Sequence, residues 1–350
     1  MRRVDVVMAA STPPVFVALF VSVIARIRDF HFLYHKQDIY PEITSALGGT
    51  GGVPPGVDTA LGGSGGVPPG VDILQGGLPP LVRSLLTKLD AGTDSRSRAV
   101  VVLSTDMEDT VRARGGRLTQ LAVINNYDPW VLPPELPPHR SSERVGRPEG
   151  AELKILYAGN IGRFQNIPRI AELMAHFNAE PRVSFDIVGD GPLRPWLEQF
   201  AERNALRSVG FHGYIAPERL ATMMREEFDV GMVSLHPGVI RAAYPSKTMS
   251  YLRNGLGVLA LVETDSQLTR TLGRYIAGWS ADPTSLTGVE NVVQALLDDP
   301  DAMVGLSERA RSAYESEFSK ARQLRRWIDL FDDLLSTCLL YTSPSPRDRS

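Results

Sequence analysis

Two α/β domains, each a parallel sheet with helices on both faces, are the fold this sequence predicts. Three observations carry that prediction. The chain has 350 residues, more than one typical core holds, so two domains are the natural division. Its second half alternates apolar strand-like runs with helical patterns at a regular interval, and such alternation implies parallel strands joined by crossover helices. Glycine-rich turns follow those runs, at the strand ends where ligands of such sheets bind.

Composition is that of an ordinary globular protein. Of the residues, 43% are hydrophobic and 22% charged, with a formal net charge of −3. That balance excludes a globally basic nucleic-acid binder. The single cysteine, Cys338, excludes a disulfide framework and a cysteine-based metal site, and fits a reducing, cytoplasmic setting.

The first domain is expected over residues 1–130. Val4–Met8, Phe32–His35, Val100–Ser104 and Leu121–Ile124 read as strands, with helices over Pro14–Ile27, Leu78–Lys88 and Met107–Arg114. Val15–Ile24, behind Met1-Arg2-Arg3, has the charged start and apolar run of a signal peptide. It lacks a small-residue cleavage site, however, and is too short to span a bilayer. The strand-like run His31–His35 at βαβ spacing favours a helix over Val15–Ile27, buried nearly all round. Ala46–Thr59 (ALGGTGGVPPGVDT) is followed at once by a near-copy, Ala60–Ile73 (ALGGSGGVPPGVDI). Residues 46–76 are therefore expected to form a flexible Gly/Pro-rich insertion without chemistry of its own. Residues 131–150, rich in proline and then in charge, read as the interdomain linker.

The second domain is expected over 151–318. Leu153–Tyr157, Val183–Val188, Val209–Phe211, Val230–Val233 and Val258–Val262 read as strands. Helices are expected over Pro168–Phe177, Pro192–Arg203, Pro217–Glu226, Ser246–Asn254, Ser266–Arg274, Val289–Leu297 and Asp301–Glu317. A C-terminal helix follows within 319–337. The tail 338–350 (CLLYTSPSPRDRS) breaks composition with that helix and resembles translated adapter sequence, so a non-native scar is expected there.

Three loops carry candidate chemistry. The run Gly159-Asn160-Ile161-Gly162-Arg163-Phe164-Gln165-Asn166 leaves a strand and opens a helix. Its glycines let backbone amides approach a ligand, and the helix N-terminus offers unpaired N–H groups to an anion; equally, it reads as a tight turn capped by Asn166. Gly189-Asp190-Gly191-Pro192 has two glycines but not the third of a dinucleotide fingerprint, which argues against a nicotinamide enzyme. Pro245-Ser246-Lys247 opens another helix. A lysine in a first helical turn opposes the helix dipole by about 0.3–1 kcal/mol, and an anionic ligand would reverse that sign. The plain alternative is a solvated lysine.

The segments LYAGNIGRFQN, FDIVGDGPLR, VGFHGYI and PSK-x3-Y-x3-G (Pro245–Gly255), with HKQDIYPE (His35–Glu42), VVLSTDM and VINNYDP in the first half, carry a resemblance. Together they resemble retaining glycosyltransferases of family 4, in the branch that builds bacterial polysaccharide and lipopolysaccharide repeat units. The likeness runs from Val4 to Leu335 apart from the duplicated insertion. It implies a GT-B fold of two facing Rossmann-like domains, with the first incomplete at its start. It further implies a nucleotide-sugar donor, expected to be a UDP-sugar, with no metal and no separate cofactor. The implied partner is a lipid-linked saccharide acceptor, met by peripheral contact at the inner face of the cell membrane.

The donor residues implied are Gly159, Asn160, Gly162, Gln165, Gly189, Gly191, Phe211, Gly213, Tyr214, Ile215, Pro245, Ser246, Lys247 and Tyr251, with the Phe211–Ile215 turn against the nucleobase. Arg163 and Lys247 would meet the leaving diphosphate, and Asp38 would lie near the reacting sugar or its acceptor. Asp38 and His35 are candidate general bases, although a loop aspartate also serves as a cap or turn residue. Two departures concern ribose binding. Ser250 stands where many relatives carry a ribose-binding glutamate, and Ala242 and Ser250 stand where a pair of glutamates eight positions apart is widespread. A UDP-sugar 2-epimerase of the same architecture and a catalytically inactive donor-binding fragment are the competing expectations.

Overall fold

The computed structural model describes residues 5–11, 15–48, 78–129 and 152–341. The expected linker at 131–150, most of the duplicated insertion and the tail beyond Tyr341 lie outside the described residues.

Among the described residues, four parallel strands form the first sheet in the order β1 (Val6–Ala10), β2 (His31–His35), β3 (Ala99–Val102), β4 (Leu121–Val123). Helices α1 (Phe16–Arg28), α2 (Glu42–Gly48), α3 (Pro80–Arg96) and α4 (Thr105–Ala113) lie between them in the chain. β3 is Ala-Val-Val-Val and buried throughout, as a central parallel strand covered on both faces must be.

The second sheet has six parallel strands. They are β5 (Leu153–Ala158), β6 (Val183–Val188), β7 (Val209–His212), β8 (Val230–Ser234), β9 (Gly257–Leu261) and β10 (Gly278–Ala281). Their spatial order is β10-β9-β8-β5-β6-β7, so the chain reverses direction between β5 and β8. Such a switch point opens a crevice at the carboxyl ends of the two strands. The intervening helices are α5 (Ile167–His176), α6 (Arg194–Arg203), α7 (Pro217–Glu226), α8 (Lys247–Arg253), α9 (Gln267–Tyr275), α10 (Leu286–Asp298) and α11 (Leu306–Glu317).

The cores are joined across the domains. Ile39, Ile43, Val102 and Met107 of the first domain pack in one cluster with Met224, Val239, Ile240 and Tyr251 of the second. The last helix, α12 (Lys320–Tyr341), crosses back, and its Leu330 and Leu334 close over Leu33, Ala99, Val101 and Ile124 of the first sheet. Backbone bonds tie the halves directly: Ile39 N donates to Ala242 O at 2.8 Å, and Asp38 forms an antiparallel bridge with Ala243.

Four expectations are corrected. α1 is not buried nearly all round: Phe16 is 64%, Phe20 67% and Ile27 75% exposed. Its buried face is Ala18, Ser22 and Ala25, small residues that let the helix lie close on Phe32 and Tyr34 while the bulky face points out. β10 was not expected, because Gly-Trp-Ser-Ala has no apolar run and pairs only on one side. α2 takes in Ala46–Gly48, so the chain is helical where the insertion was expected to begin. α12 continues to Tyr341, past the expected end at 337.

Candidate functional site

A cavity of about 800 Å3 opens between the domains at the ends of β5 and β8. Asp38, Ile43 and Asn126 line it from the first domain, and Gly159, Gln165, Ser234 and Lys247 from the second. The volume and the mixture of apolar wall and convergent polar groups suit a small-molecule site.

The floor is the turn after β5. Gly159 has φ +139°, and a Cβ there would stand 3.3 Å from Lys247 Cε. The Gly189-Asp190-Gly191 turn backs this floor rather than lining the cavity. Gly189 and Gly191 have φ +125° and +155°; a Cβ at Gly189 would overlap the Gly159 carbonyl, and one at Gly191 would stand 2.5 Å from Ile161 O. Tyr251 serves as a pillar beneath: its hydroxyl accepts from Ala158 N at 2.7 Å and donates to Met232 O at 3.3 Å. Asn166 occupies the cap position of α5 in left-handed backbone (φ 45°), yet its side chain caps nothing and donates to Pro283 O at 3.3 Å.

Lys247 is the first residue of α8, after Ser246 in the cap position without a capping hydrogen bond. Part of its side chain faces the cleft, but Nζ is buried and has no hydrogen-bond partner among the described residues. Nζ lies 3.6 Å from the centre of the Tyr157 ring. That contact favours a cation. Burial and the helix N-terminus oppose one, and burial pushes the Lys247 pKa down to about 7. An anion in the cavity would restore what the site withholds. Gln165 Oε1, Ser234 Oγ and Tyr244 OH are also buried without partners among the described residues, and all three residues line the same cavity. Buried polar atoms left without partners beside a cavity are what a polar ligand can satisfy; the Tyr244 hydroxyl lies instead within electrostatic reach of Asp106 and Glu317, which are outside the lining.

Asp38 lines the cavity from the first domain, and burial raises its carboxyl pKa. His35 does not reach the cavity lining. It packs edge-on against Trp327 at 5.1 Å between ring centres, Gln37 Nε2 lies 3.0 Å from its Nε2, and burial lowers its pKa to about 4. A general-base role for His35 is thereby withdrawn.

The remaining sequence candidates divide. Asn160, Gln165, Pro245, Ser246 and Tyr251 line the cavity. Gly162 is buried in the turn, and Arg163 begins the short 3-10 segment Arg163–Gln165 outside the lining. Phe211 packs beside the β6–β7 core, Ile215 packs against the α7 side, and Gly213 and the 81% exposed Tyr214 stand in the turn between, away from the lining. Sequence reasoning missed Ser234, Tyr244 and Tyr157. Tyr244 adjoins the recognised Pro245-Ser246-Lys247 run, but nothing local marked Tyr157 as the ring beneath the lysine. At the departure from the glutamate pattern, Ser250 Oγ donates to Asp128 Oδ2 at 3.0 Å.

Among the described residues no group of three or more His, Cys, Asp or Glu side chains is placed to hold a metal ion, and no helix is long and apolar enough to cross a membrane.

No family model matches the chain. Over 256 residues it is 22% identical to the probable glycosyltransferase WbjE of Pseudomonas aeruginosa, a match covering 72% of this chain and 62% of that protein. The chain thus spans less than two thirds of that relative's length. Its fold is similar to sucrose-phosphate synthase of Thermosynechococcus elongatus, with TM-score 0.66 and 16% identity over 95% of this chain and 74% of the other. It is similar also to Anabaena HepE solved in complex with UDP, with TM-score 0.65 and 14% identity over 94% of this chain and 79% of the other. The architecture, α/β with two parallel sheets, is the GT-B arrangement of these neighbours.

Proposed function

We propose that the interdomain cavity binds a nucleoside diphosphate sugar, in the first instance a UDP-sugar, and that the chain is a glycosyltransferase. The observation that carries the reading is the buried Nζ of Lys247 at the N-terminus of α8, without a hydrogen-bond partner among the described residues. A diphosphate supplies the negative charge that both the ammonium group and the helix end lack. The fold's likeness to a UDP-bound neighbour and the sequence likeness to a probable glycosyltransferase support it.

In the transfer, the bond between the anomeric carbon and the β-phosphate oxygen breaks as an acceptor hydroxyl oxygen bonds to that carbon. The hydroxyl proton passes to the departing diphosphate oxygen, on which charge grows as the bond breaks. Lys247 and the amides of the Gly159–Gln165 turn would stabilise that charge, with Arg163 just outside. Asp38, across the cavity, would face the sugar or its acceptor. Retention of anomeric configuration, a hexosyl or N-acetylhexosaminyl group, and a lipid-linked saccharide acceptor at the inner membrane face complete the proposal. They rest on the motif resemblance, as does placement of the nucleobase against Phe211–Ile215.

Calorimetry with UDP tests the donor site. Lys247→Ala should weaken binding by about 1.5–3 kcal/mol, the worth of a charge-assisted hydrogen bond. Equal affinity in both proteins would remove the phosphate assignment.

A further inference from the structure

The first domain contains a buried charge cluster that touches neither the cavity nor the solvent as a binding surface. Lys36 is fully buried, with Nζ 2.5 Å from Asp90 Oδ2 and 2.8 Å from Asp94 Oδ1. Tyr34 OH donates to Asp90 Oδ1 at 2.9 Å. Arg114 reaches the same carboxylates, with one guanidinium nitrogen 2.5 Å from Asp90 Oδ2. Its other nitrogens grip Glu42 at 2.6 and 2.9 Å and donate to Tyr40 O at 2.7 Å.

These contacts bracket one short segment. Lys36 stands two residues before Asp38, and Tyr40 and Glu42 stand two and four after it. Within the bracket, Gln37 N and Asp38 N both donate to Ser11 Oγ, at 3.0 and 3.1 Å. Asn126 Nδ2 donates to Gln37 Oε1 at 2.8 Å. The neighbours of Asp38 are tied down, and Asp38 itself lines the cavity, bridged to Ala243 four residues ahead of Lys247.

Burying the four charges of Lys36, Asp90, Asp94 and Arg114 gains little stability over an apolar core of the same volume, because desolvation offsets the attraction. Geometry is what such a cluster can supply, since each partner accepts only a narrow range of positions. We propose that Lys36 and Arg114 are positioning residues that set Asp38 against the sugar end of the donor, acting through Asp90, Asp94 and Glu42. The inference rests on the donor reading for its ligand, though the positional claim stands on the first domain alone.

Arg114→Lys keeps a charge beside Asp90 and Asp94 but cannot hold Glu42 two-pronged and the Tyr40 carbonyl together. UDP and UDP-glucose affinities are measured by calorimetry for the wild type, Arg114→Lys, Asp38→Asn and the double variant. UDP affinity should stay within about threefold, because its phosphate contacts belong to the second domain. The preference for UDP-glucose over UDP should change about fivefold in each single variant and no further in the double. Independent, multiplying effects, or an unchanged preference in Arg114→Lys, would overturn the proposal.

A wild type that binds neither nucleotide would refute the donor reading instead. Carbon-13 titration of the Asp38 carboxyl then decides the positional claim without a nucleotide. In Arg114→Lys the midpoint should move down toward the ordinary aspartate range as the segment opens to water; an unmoved titration refutes the claim. Glu42→Gln, which loosens only the half-exposed end of the cluster, is the milder variant should Arg114→Lys fold poorly, and it should shift both readouts the same way.

Discussion

Lys36 in the first domain and Lys247 in the second both hold their ammonium groups away from water, in opposite surroundings. Lys36 lies within 2.8 Å of two aspartates, and its helix-borne partners are themselves held by Arg114 and Tyr34. Lys247 has a tyrosine ring beneath it, a helix N-terminus behind it and no anion among the described residues. A buried cation with every partner supplied by the chain fixes structure. One whose partners are withheld stores free energy that a ligand can release. The difference separates the domain that frames the cleft from the domain that grips its contents.

The sharpest break of this comparison is to remove each charge in turn. Lys36→Met leaves Asp90 and Asp94 short of a counter-ion in the core and should destabilise the protein by about 3–5 kcal/mol, read by urea unfolding. Lys247→Met should do the reverse to the ligand-free protein, stabilising it by roughly 1–3 kcal/mol at pH 6 while weakening UDP binding as Lys247→Ala does. The sign follows from linkage. Lys247 titrates near 7 when folded and near 10.5 when unfolded, so its burial penalty is fully present below pH 7 and fades as pH rises toward 10. The stabilisation by Lys247→Met should fade over the same window. Destabilisation by both substitutions would mean that Lys247 is a structural lysine after all.

UDP affinity against pH gives a smaller effect from the same cause. Above pH 7 the free protein holds Lys247 mostly neutral, and a bound diphosphate favours the ammonium form. Binding should therefore take up close to one proton at pH 8, and affinity should fall by up to about tenfold, or 1.4 kcal/mol, per pH unit from there. Calorimetry in two buffers of different ionisation enthalpy reads the uptake. The window from pH 7 to 9 is the useful one, because a terminal phosphate titrates itself near pH 6. Proton-neutral binding at pH 8 would show Nζ to be charged before the ligand arrives.

Of this contrast the sequence discloses one side. Lys247 is conspicuous because Pro245 and Ser246 place it at a helix start, where a lysine is out of place without an anion. Its isolation is not visible, since Tyr157 and Gly159 come from a strand end ninety residues earlier in the chain. Lys36 stood within a recognised run, HKQDIYPE, but Asp90 and Asp94 lie 54 and 58 positions away on the far side of the duplicated insertion. Pairing at that separation leaves no local pattern. The strands β5 to β9 of the second domain were legible because each is a short apolar run between turn residues, and β10, Gly-Trp-Ser-Ala, was not because it lacks one. The orientation of α1 was not, because hydropathy assigns the bulky residues to the core, and the close approach of Ala18, Ser22 and Ala25 to the sheet inverts that rule.

The smallest effect separates the two walls of the cleft by sign. Asp38 is a carboxylate lining the same cavity as Lys247, so it repels a bound diphosphate through partly solvated space. At an effective dielectric constant between about 20 and 80, such repulsion amounts to a few tenths of a kcal/mol, at most about 1. Asp38→Asn should accordingly tighten UDP slightly, by up to about threefold, where Lys247→Ala loosens it. The tightening requires Asp38 to be ionised in the parent protein. Burial raises its pKa, so the difference should shrink as the pH falls and the parent's carboxyl is protonated, beginning at a higher pH than for a solvated aspartate. Weaker UDP binding by Asp38→Asn at neutral pH would place the carboxylate among the nucleotide's own contacts, and would move Asp38 from the sugar end of the cleft to the diphosphate.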